Sequence, residues 1–415
     1  VNPNPYSSDY PNSEEIRRAD YILVGGGLQS GLMALAISYH QPNANWILIE
    51  QQSSLAGNHT WSFHESDLSS DCAIWAEPLV EYRWPSYQVR VGGHDRIIEI
   101  PYRTCSSKHL SDIVTAAAQQ PHRRVLTSST VVEIRPTGVL LGDGRRLEAE
   151  VVIDNRGPSP MTSSTFCGGF QKFWGFELEL SRAWPHSNPI IMDDRIDQKD
   201  GFRFIYSLPM ERRRVLVEDT RFSNTPSIDR DECWEHVKEY VHSQGCDSSN
   251  IIREEHGVLP MPIIGTVPGN SLPALAGGYR GGWFHAATGY SFPLALRVAE
   301  TVANHRSDQI LQALQKLRQE NAWRASFARF LNRLLFELVK PETRYQIFRR
   351  FYRVLNEPSI ARFYGHRFTR MDAFRIVVGV PPMGLRPLNF ARSYLRFQSR
   401  LVGLHAPSQP LEVPG

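Results

Sequence analysis

A short apolar run, Tyr21-Ile22-Leu23-Val24, ends in three glycines, and Gly25-Gly26-Gly27-Leu28-Gln29-Ser30-Gly31 then leads into a helical pattern over residues 32–39. A second apolar run, Trp46-Ile47-Leu48-Ile49, ends at Glu50. Strand, glycine turn, helix and strand within about 30 residues form the first unit of a parallel sheet, which commits the chain to an α/β fold of the Rossmann type. The turn follows G-x-G-x-x-G, with Ser30 in the third glycine position and Gly31 beside it. Bare backbone at Gly25 and Gly27 lets a pyrophosphate approach the helix N-terminus, where free N–H groups and the helix dipole favour anions. Glu50 stands where an acid hydrogen-bonds a ribose hydroxyl, which favours FAD or NAD over a 2′-phosphorylated nucleotide. The bland alternative is a structural turn with Glu50 at a solvated strand end.

Further strands are expected over residues 125–134, 138–141 and 151–153, with Gly142-Asp143-Gly144 as a hairpin turn. From residue 166 to 218 the pattern becomes strands flanked by Pro and Asp loops, which suggests a separate sheet. Ala276-Gly277-Gly278 onward again reads strand, glycine loop, helix. The expected organisation is therefore a loose extension (1–19), a discontinuous dinucleotide-binding domain (20–165 and 260–306), an inserted β-rich substrate domain (166–259), a basic helical region (307–400) and a tail (401–415). The five cysteines are scattered and never spaced C-x-x-C, which points to free thiols in a reducing cytoplasm. No run of about 20 apolar residues exists to span a membrane. The net charge of +3 hides an asymmetry: residues 324–400 carry sixteen Lys/Arg against four Asp/Glu. Arg alternates with aromatics there, as in Arg349-Arg350-Phe351-Tyr352-Arg353. That composition suits an anionic membrane surface; nucleic acid is the disfavoured rival, and a helical cap with solvated charges is the third reading.

The segment from Ala276 to Tyr290 resembles the second FAD motif of the p-hydroxybenzoate-hydroxylase-like flavoproteins, which implies a fold of that type and assigns Gly278, Thr288 and Gly289 to FAD. The usual Gly-Asp pair is absent, and Gly278 stands about where the acid would be. Asn58-His59-Thr60-Trp61-Ser62-Phe63-His64 resembles a signature of the bacterial lycopene β-cyclases. Matches follow in order: Trp84-Pro85-x-Tyr87-Gln88-Val89, Val152-Ile153-Asp154-x-Arg156-Gly157, Phe202-Arg203-Phe204-x-Tyr206, Glu218-Asp219-Thr220 and Phe284-His285-x-x-Thr288-Gly289-Tyr290.

The resemblance implies a flavoprotein that protonates the terminal double bond of a linear polyene. The tertiary cation then attacks an internal double bond, and loss of a proton leaves a β-ring. Nothing is oxidised or reduced overall, yet the family requires reduced FAD, with NAD(P)H as electron donor. Within this frame Glu218 is the expected acid. Asp219 is its neighbour on the opposite strand face, and Asp193 is a second candidate. A carboxyl facing an apolar polyene is desolvated and holds its proton near neutrality. Trp61, Phe63, His64 and Tyr290 are expected substrate contacts, with core packing as the alternative for Trp61 and Phe63. No metal is expected: His59 and His64 are five residues apart and lack an evident partner. A flavin monooxygenase or reductase acting on an isoprenoid is the competing activity, and it would consume NAD(P)H in proportion to product.

Overall fold

The structure, a computed structural model, describes residues 18–157, 167–264 and 275–378. Most of the expected extension, residues 379–400 and the tail lie outside them. Arg18 and Ala19, expected in the extension, already belong to the first strand, Arg18–Val24.

That strand runs parallel between Trp46–Ile49 and Arg146–Asp154. Arg123–Leu126 extends the parallel sheet on one side, and Leu275–Ala276 pairs with Arg146–Asp154 from far along the chain. Trp46–Ile49 is buried throughout, as an inner strand of a sheet covered on both faces requires. The helix Leu28–His40 covers one face and packs on Phe292–Ala303. Their side chains, including Leu32, Met33, Leu294 and Val298, form one core. The helix begins at Leu28, so the glycine turn is itself the helix N-terminus.

The single strand expected over 125–134 is two, Arg123–Leu126 and Val131–Arg135, which pair with different neighbours. The polar residues between them break the run, with Ser128 at a positive φ of 50° and its N–H bonded to Gln52.

A second seven-stranded sheet runs in the order Ser248–Ile264, Cys167–Leu180, Arg214–Ser223, Phe202–Glu211, Ile190–Asp193, Tyr87–Val91 and His94–Ile98. Its last two strands come from the segment assigned to the dinucleotide domain, so the expected boundary at 165 does not divide the sheets. Burial alternates along Tyr87–Val91, but nothing local to that pattern names the sheet it joins. One face of this second sheet packs on the helix Arg230–Ser243 through Val215, Val217, Phe176 and Val237. Leu216, Phe222, Phe202 and Phe204 belong to the core on the other face, together with Tyr352 and Ile360 of the C-terminal helices. A small sheet of Thr60–His64, Tyr102–Ser106 and Tyr82–Trp84 completes the strands among the described residues.

Candidate active site

The first strand delivers the glycine turn to one end of a single cavity of about 1380 Å³. That exceeds the roughly 300–1,000 Å³ of an ordinary ligand site and has room for two. Gly25 has φ +93°, and a Cβ there would lie 2.9 Å from the backbone nitrogen of Arg156, so only glycine fits. Gly27 caps the helix in extended geometry, and a Cβ on it would meet no protein atom within 4 Å. It would project into the cavity, in the space an anion at the helix N-terminus takes. Glu50 lines the same end and accepts the Gly26 N–H at 2.6 Å. Gly278, Thr288 and Gly289 line the cavity too, with Gly278 at φ +51° and Gly289 at φ +67°. Four polar atoms on residues of the wall, His64 Nδ1, Asn155 Oδ1, Thr220 Oγ1 and the Tyr290 hydroxyl, are buried with no hydrogen-bond partner among the described residues. Of these, Asn155 Oδ1 lies at the glycine loop, where a Cβ on Gly277 would be 1.9 Å from it. Open cradle, acid and the unsatisfied Asn155 oxygen together fit a dinucleotide.

Ser30 and Gly31 do not line the cavity, which corrects their assignment to the cofactor. Ser30 Oγ accepts a hydrogen bond from Asn155 Nδ2 at 2.8 Å, and Gly31 lies against the Leu110 side chain. Within the helix they have turned onto its packing face, where a small residue permits close approach.

Glu218, on Arg214–Ser223, lines the same cavity from the second sheet. Successive strand residues face opposite sides, and Glu218 shares its side with Thr220 and Phe222 of the cavity wall. Phe204 and Tyr206 line it from the neighbouring strand. Burial, followed by the Glu255 carboxylate beside it, raises the Glu218 pKa well above the usual carboxylate range. Such a group holds a proton at neutral pH.

The other two acidic candidates are corrected by their surroundings. Asp219 faces the helix Arg230–Ser243 and is fully buried, bonded to Arg203 at 2.8 Å, Arg221 at 3.1 Å and His236 Nδ1 at 2.8 Å. Burial alone would raise its pKa; the three partners outweigh it and hold the group below its ordinary value. Asp193 is buried among Arg90, Arg195 and the Tyr240 hydroxyl, where burial is again outweighed and its pKa is lowered. Both are ion-paired anions off the cavity wall, without a proton to deliver.

The lycopene cyclase protein family model matches residues 20–389. The chain is 37% identical to a lycopene beta-cyclase of Pseudescherichia vulneris over 372 residues, covering 88% of this chain and 95% of that one. Identity to a lycopene beta-cyclase of Pantoea ananas is also 37%, with the same coverage. The chain belongs to the lycopene cyclase family. Its fold is shared, at 12% identity and a TM-score of 0.58, by a geranylgeranyl bacteriochlorophyll reductase-like protein from Thermoplasma acidophilum, over 94% of this chain and 99% of that one. A probable FAD-dependent monooxygenase from Pseudomonas aeruginosa matches at 14% identity and a TM-score of 0.55, over 79% and 98%. The architecture is thus the expected p-hydroxybenzoate-hydroxylase-like one.

In this family member Trp61, His64 and Tyr290 line the cavity. His64 is buried, and burial lowers its pKa to about 3, so the ring is neutral; its Nε2 meets the Tyr87 hydroxyl at 3.1 Å. Phe63 does not line the cavity: it is fully buried and stacks on Phe292 with ring centroids 4.0 Å apart. It shares a strand face with Trp61, and there it lies deeper, inside the core that also holds Phe292. Phe63→Ala should therefore cost about 3–5 kcal/mol of stability, read as a lower urea midpoint; a cost below about 1 kcal/mol would contradict the packing. Sequence reasoning missed Ser62, whose Oγ lies 2.7 Å from the Tyr206 hydroxyl, and Tyr102, 3.3 Å from that same hydroxyl. It also missed Glu255. Ser62 shares the pleat face of His64, a signal that could have found it.

Several cations of the tail are engaged within the fold. Arg344 is buried and donates to the carbonyls of Leu335 and Phe222, Arg362 pairs with Asp372, and Arg367 with Asp67. The charge count of residues 324–400 thus overstates what a surface would meet, because a guanidinium that satisfies carbonyls or a carboxylate is already spent on the fold. Arg386, Arg392, Arg396 and Arg400 lie outside the described residues.

Proposed function

We propose that the chain closes the ψ-ends of lycopene to β-rings, giving β-carotene by way of γ-carotene, in a non-redox, acid-catalysed reaction that requires reduced FAD. One observation carries this reading: the proton-holding carboxyl of Glu218 opens onto an aromatic cavity that is continuous with the glycine turn. Gly25, Gly27 and Glu50 hold the dinucleotide, and Gly278, Thr288 and Gly289 lie along it. When bound and reduced, the flavin supplies an electron-rich, anionic surface for a neighbouring cation. Glu218 gives its proton to the terminal double bond, and the tertiary cation so formed attacks the internal double bond. Phe204, Phe222, Tyr206 and Trp61 stabilise positive charge with their ring faces, and the apolar wall keeps water from trapping it. Loss of one proton completes the ring, so protons balance.

NAD(P)H is the electron donor in this reading and only keeps FAD reduced. Anaerobic incubation of the protein with lycopene-loaded liposomes, FAD and NADPH, followed by pigment chromatography, should yield cyclised product with far less NADPH consumed than rings formed. One-to-one consumption would make the chain an oxidoreductase of the same fold.

The substrate dissolves in bilayers, and we place the protein peripherally on the inner, anionic face of the membrane. Among the described residues no helix is long and apolar enough to cross one. Phe330, Met371, Phe374, Val377 and Val378 are 42–57% exposed, and Phe330 and Val377 also line the cavity. An apolar rim at a cavity mouth supports docking to lipid. Arg353 is exposed nearby, whereas Arg349 and Arg350 are partly buried. Met371→Ser combined with Phe374→Ser should weaken binding to anionic liposomes on the order of tenfold and remove mainly the salt-resistant part. Unchanged sedimentation of the double variant at high salt would leave these helices as a structural cap.

A further inference from the structure

Gly175, on Cys167–Leu180, pairs with Glu218 on one side and with Glu255 on the other. With no side chain at Gly175, the two glutamates converge over its Cα. A Cβ there would lie 2.7 Å from Glu218 Cγ and 3.3 Å from Glu255 Cγ. Glu255 is buried and stands behind Glu218, off the cavity wall. It accepts from Arg253 at 2.5 Å and from the Thr60 hydroxyl at 2.8 Å. Arg253 also donates to Thr60, to Asn58 Oδ1 and to Glu177, and Glu177 pairs in turn with Arg214. The Asn58-His59-Thr60 stretch of the sequence signature thus clasps this pair, a use the flavin and substrate contacts do not account for.

Charge decides where a proton sits. Among the groups out of open solvent, three carboxylates, Glu177, Glu218 and Glu255, face two guanidiniums, Arg214 and Arg253, so one proton brings that inner cluster to neutrality. Glu211, 3.3 Å from Arg214, is exposed and its charge is screened by water. Two carboxylates sharing a site cannot both ionise readily. Arg253 contacts Glu255 and Glu177, which leaves Glu218 as the neutral member. Besides the exposed Glu211 on Arg214, Tyr102 and Tyr206 face this cluster beside Glu218, His59 beside Glu255 and Arg253, and Tyr82 beside Arg214. Burial lowers the pKa of His59 and raises those of the tyrosines, so near neutrality the histidine and the tyrosines add no charge.

We propose that Glu255 is a positioning residue for the acid step: it accepts the hydrogen bond of the Glu218 carboxylic acid and, with its own charge fixed by Arg253, keeps the transferable proton on Glu218. This rests on the reading of Glu218 as the acid. In the step, the proton leaves Glu218 oxygen for substrate carbon. The pair then carries two negative charges, which attract the cation just formed and favour return of a proton to Glu218.

The pH dependence of cyclisation by the FAD-loaded holoenzyme tests this. Activity needs protonated Glu218, so it is lost as pH rises through that group's pKa. Glu255→Gln removes the like charge, lowers that pKa, and should move the alkaline limb of kcat toward acid by about one unit or more. KM should hold, activity at low pH should approach the parent's, and Glu255→Asp should restore the profile. Should Glu255→Gln fail to fold, infrared spectroscopy decides. The carbonyl stretch of a protonated carboxylic acid, present in the parent and absent in Glu218→Gln, should change position in Glu255→Asp. An unmoved pH profile in folded Glu255→Gln, or an unmoved band in Glu255→Asp, overturns the proposal while leaving Glu218 as the acid. Full cyclisation by Glu218→Gln would instead remove the acid reading itself.

Discussion

Glu218→Gln should keep its fold and its FAD yet lose cyclisation by about 10²–10⁴-fold, the range a positioned general acid contributes. The loss should lie toward the upper end, because proton delivery starts the reaction and Asp219 and Asp193 are held ionised by their own partners. The amide preserves shape, and replacing one of two crowded carboxyls relieves the strain of burying both. Stability should therefore hold or rise near neutral pH, the range in which the raised pKa of Glu218 works against the folded state. Asp219→Asn makes the contrast. It leaves Arg203 and Arg221 short of a buried counter-charge, which typically costs about 3–5 kcal/mol, and its main effect should be on denaturation. Product chromatography beside urea unfolding for both variants separates chemistry from structure. An active Glu218→Gln with an inactive but stable Asp219→Asn would transfer the role across the strand.

Gly27→Val should abolish FAD binding in a folded protein. Gly27 sits at φ −76° and ψ −172°, where any residue is at ease, and no protein atom opposes a Cβ. The valine side chain would instead fill the space over the helix N-terminus. Excluding a pyrophosphate from two charge-assisted hydrogen bonds costs on the order of 3 kcal/mol or more, a factor of at least about 100 in Kd. Gly25→Val is a poorer probe, because its positive φ and the nearby Arg156 backbone would strain the fold as well. Flavin absorbance of purified Gly27→Val, with circular dichroism to confirm folding, checks the prediction. A full complement of flavin in that variant would show that the turn is not the cradle.

The sequence by itself determined whatever depends on neighbours along the chain. The parallel unit around Gly25–Gly31 was legible because strand, turn and helix each carry a local pattern. The motif order was enough to identify the family and to single out Glu218-Asp219 as the candidate acid. Alternation along a strand says that only one of that pair can face the cavity, yet not which one. Tertiary structure decided it, because the helix Arg230–Ser243, carrying His236, covers one face of the second sheet and the cavity lies on the other. For the same lack of local information, the sequence did not show that Phe63 enters the core, that Tyr87–Val91 joins the second sheet, that Arg344 is buried or that Arg367 pairs with Asp67. Glu255 was illegible for the strongest form of this reason. Its meaning comes from lying two strands from Glu218 across a glycine, a distance set by hydrogen-bonded register between segments far apart in sequence. Which charges meet in a protein interior is fixed by that register, and so is where the proton rests.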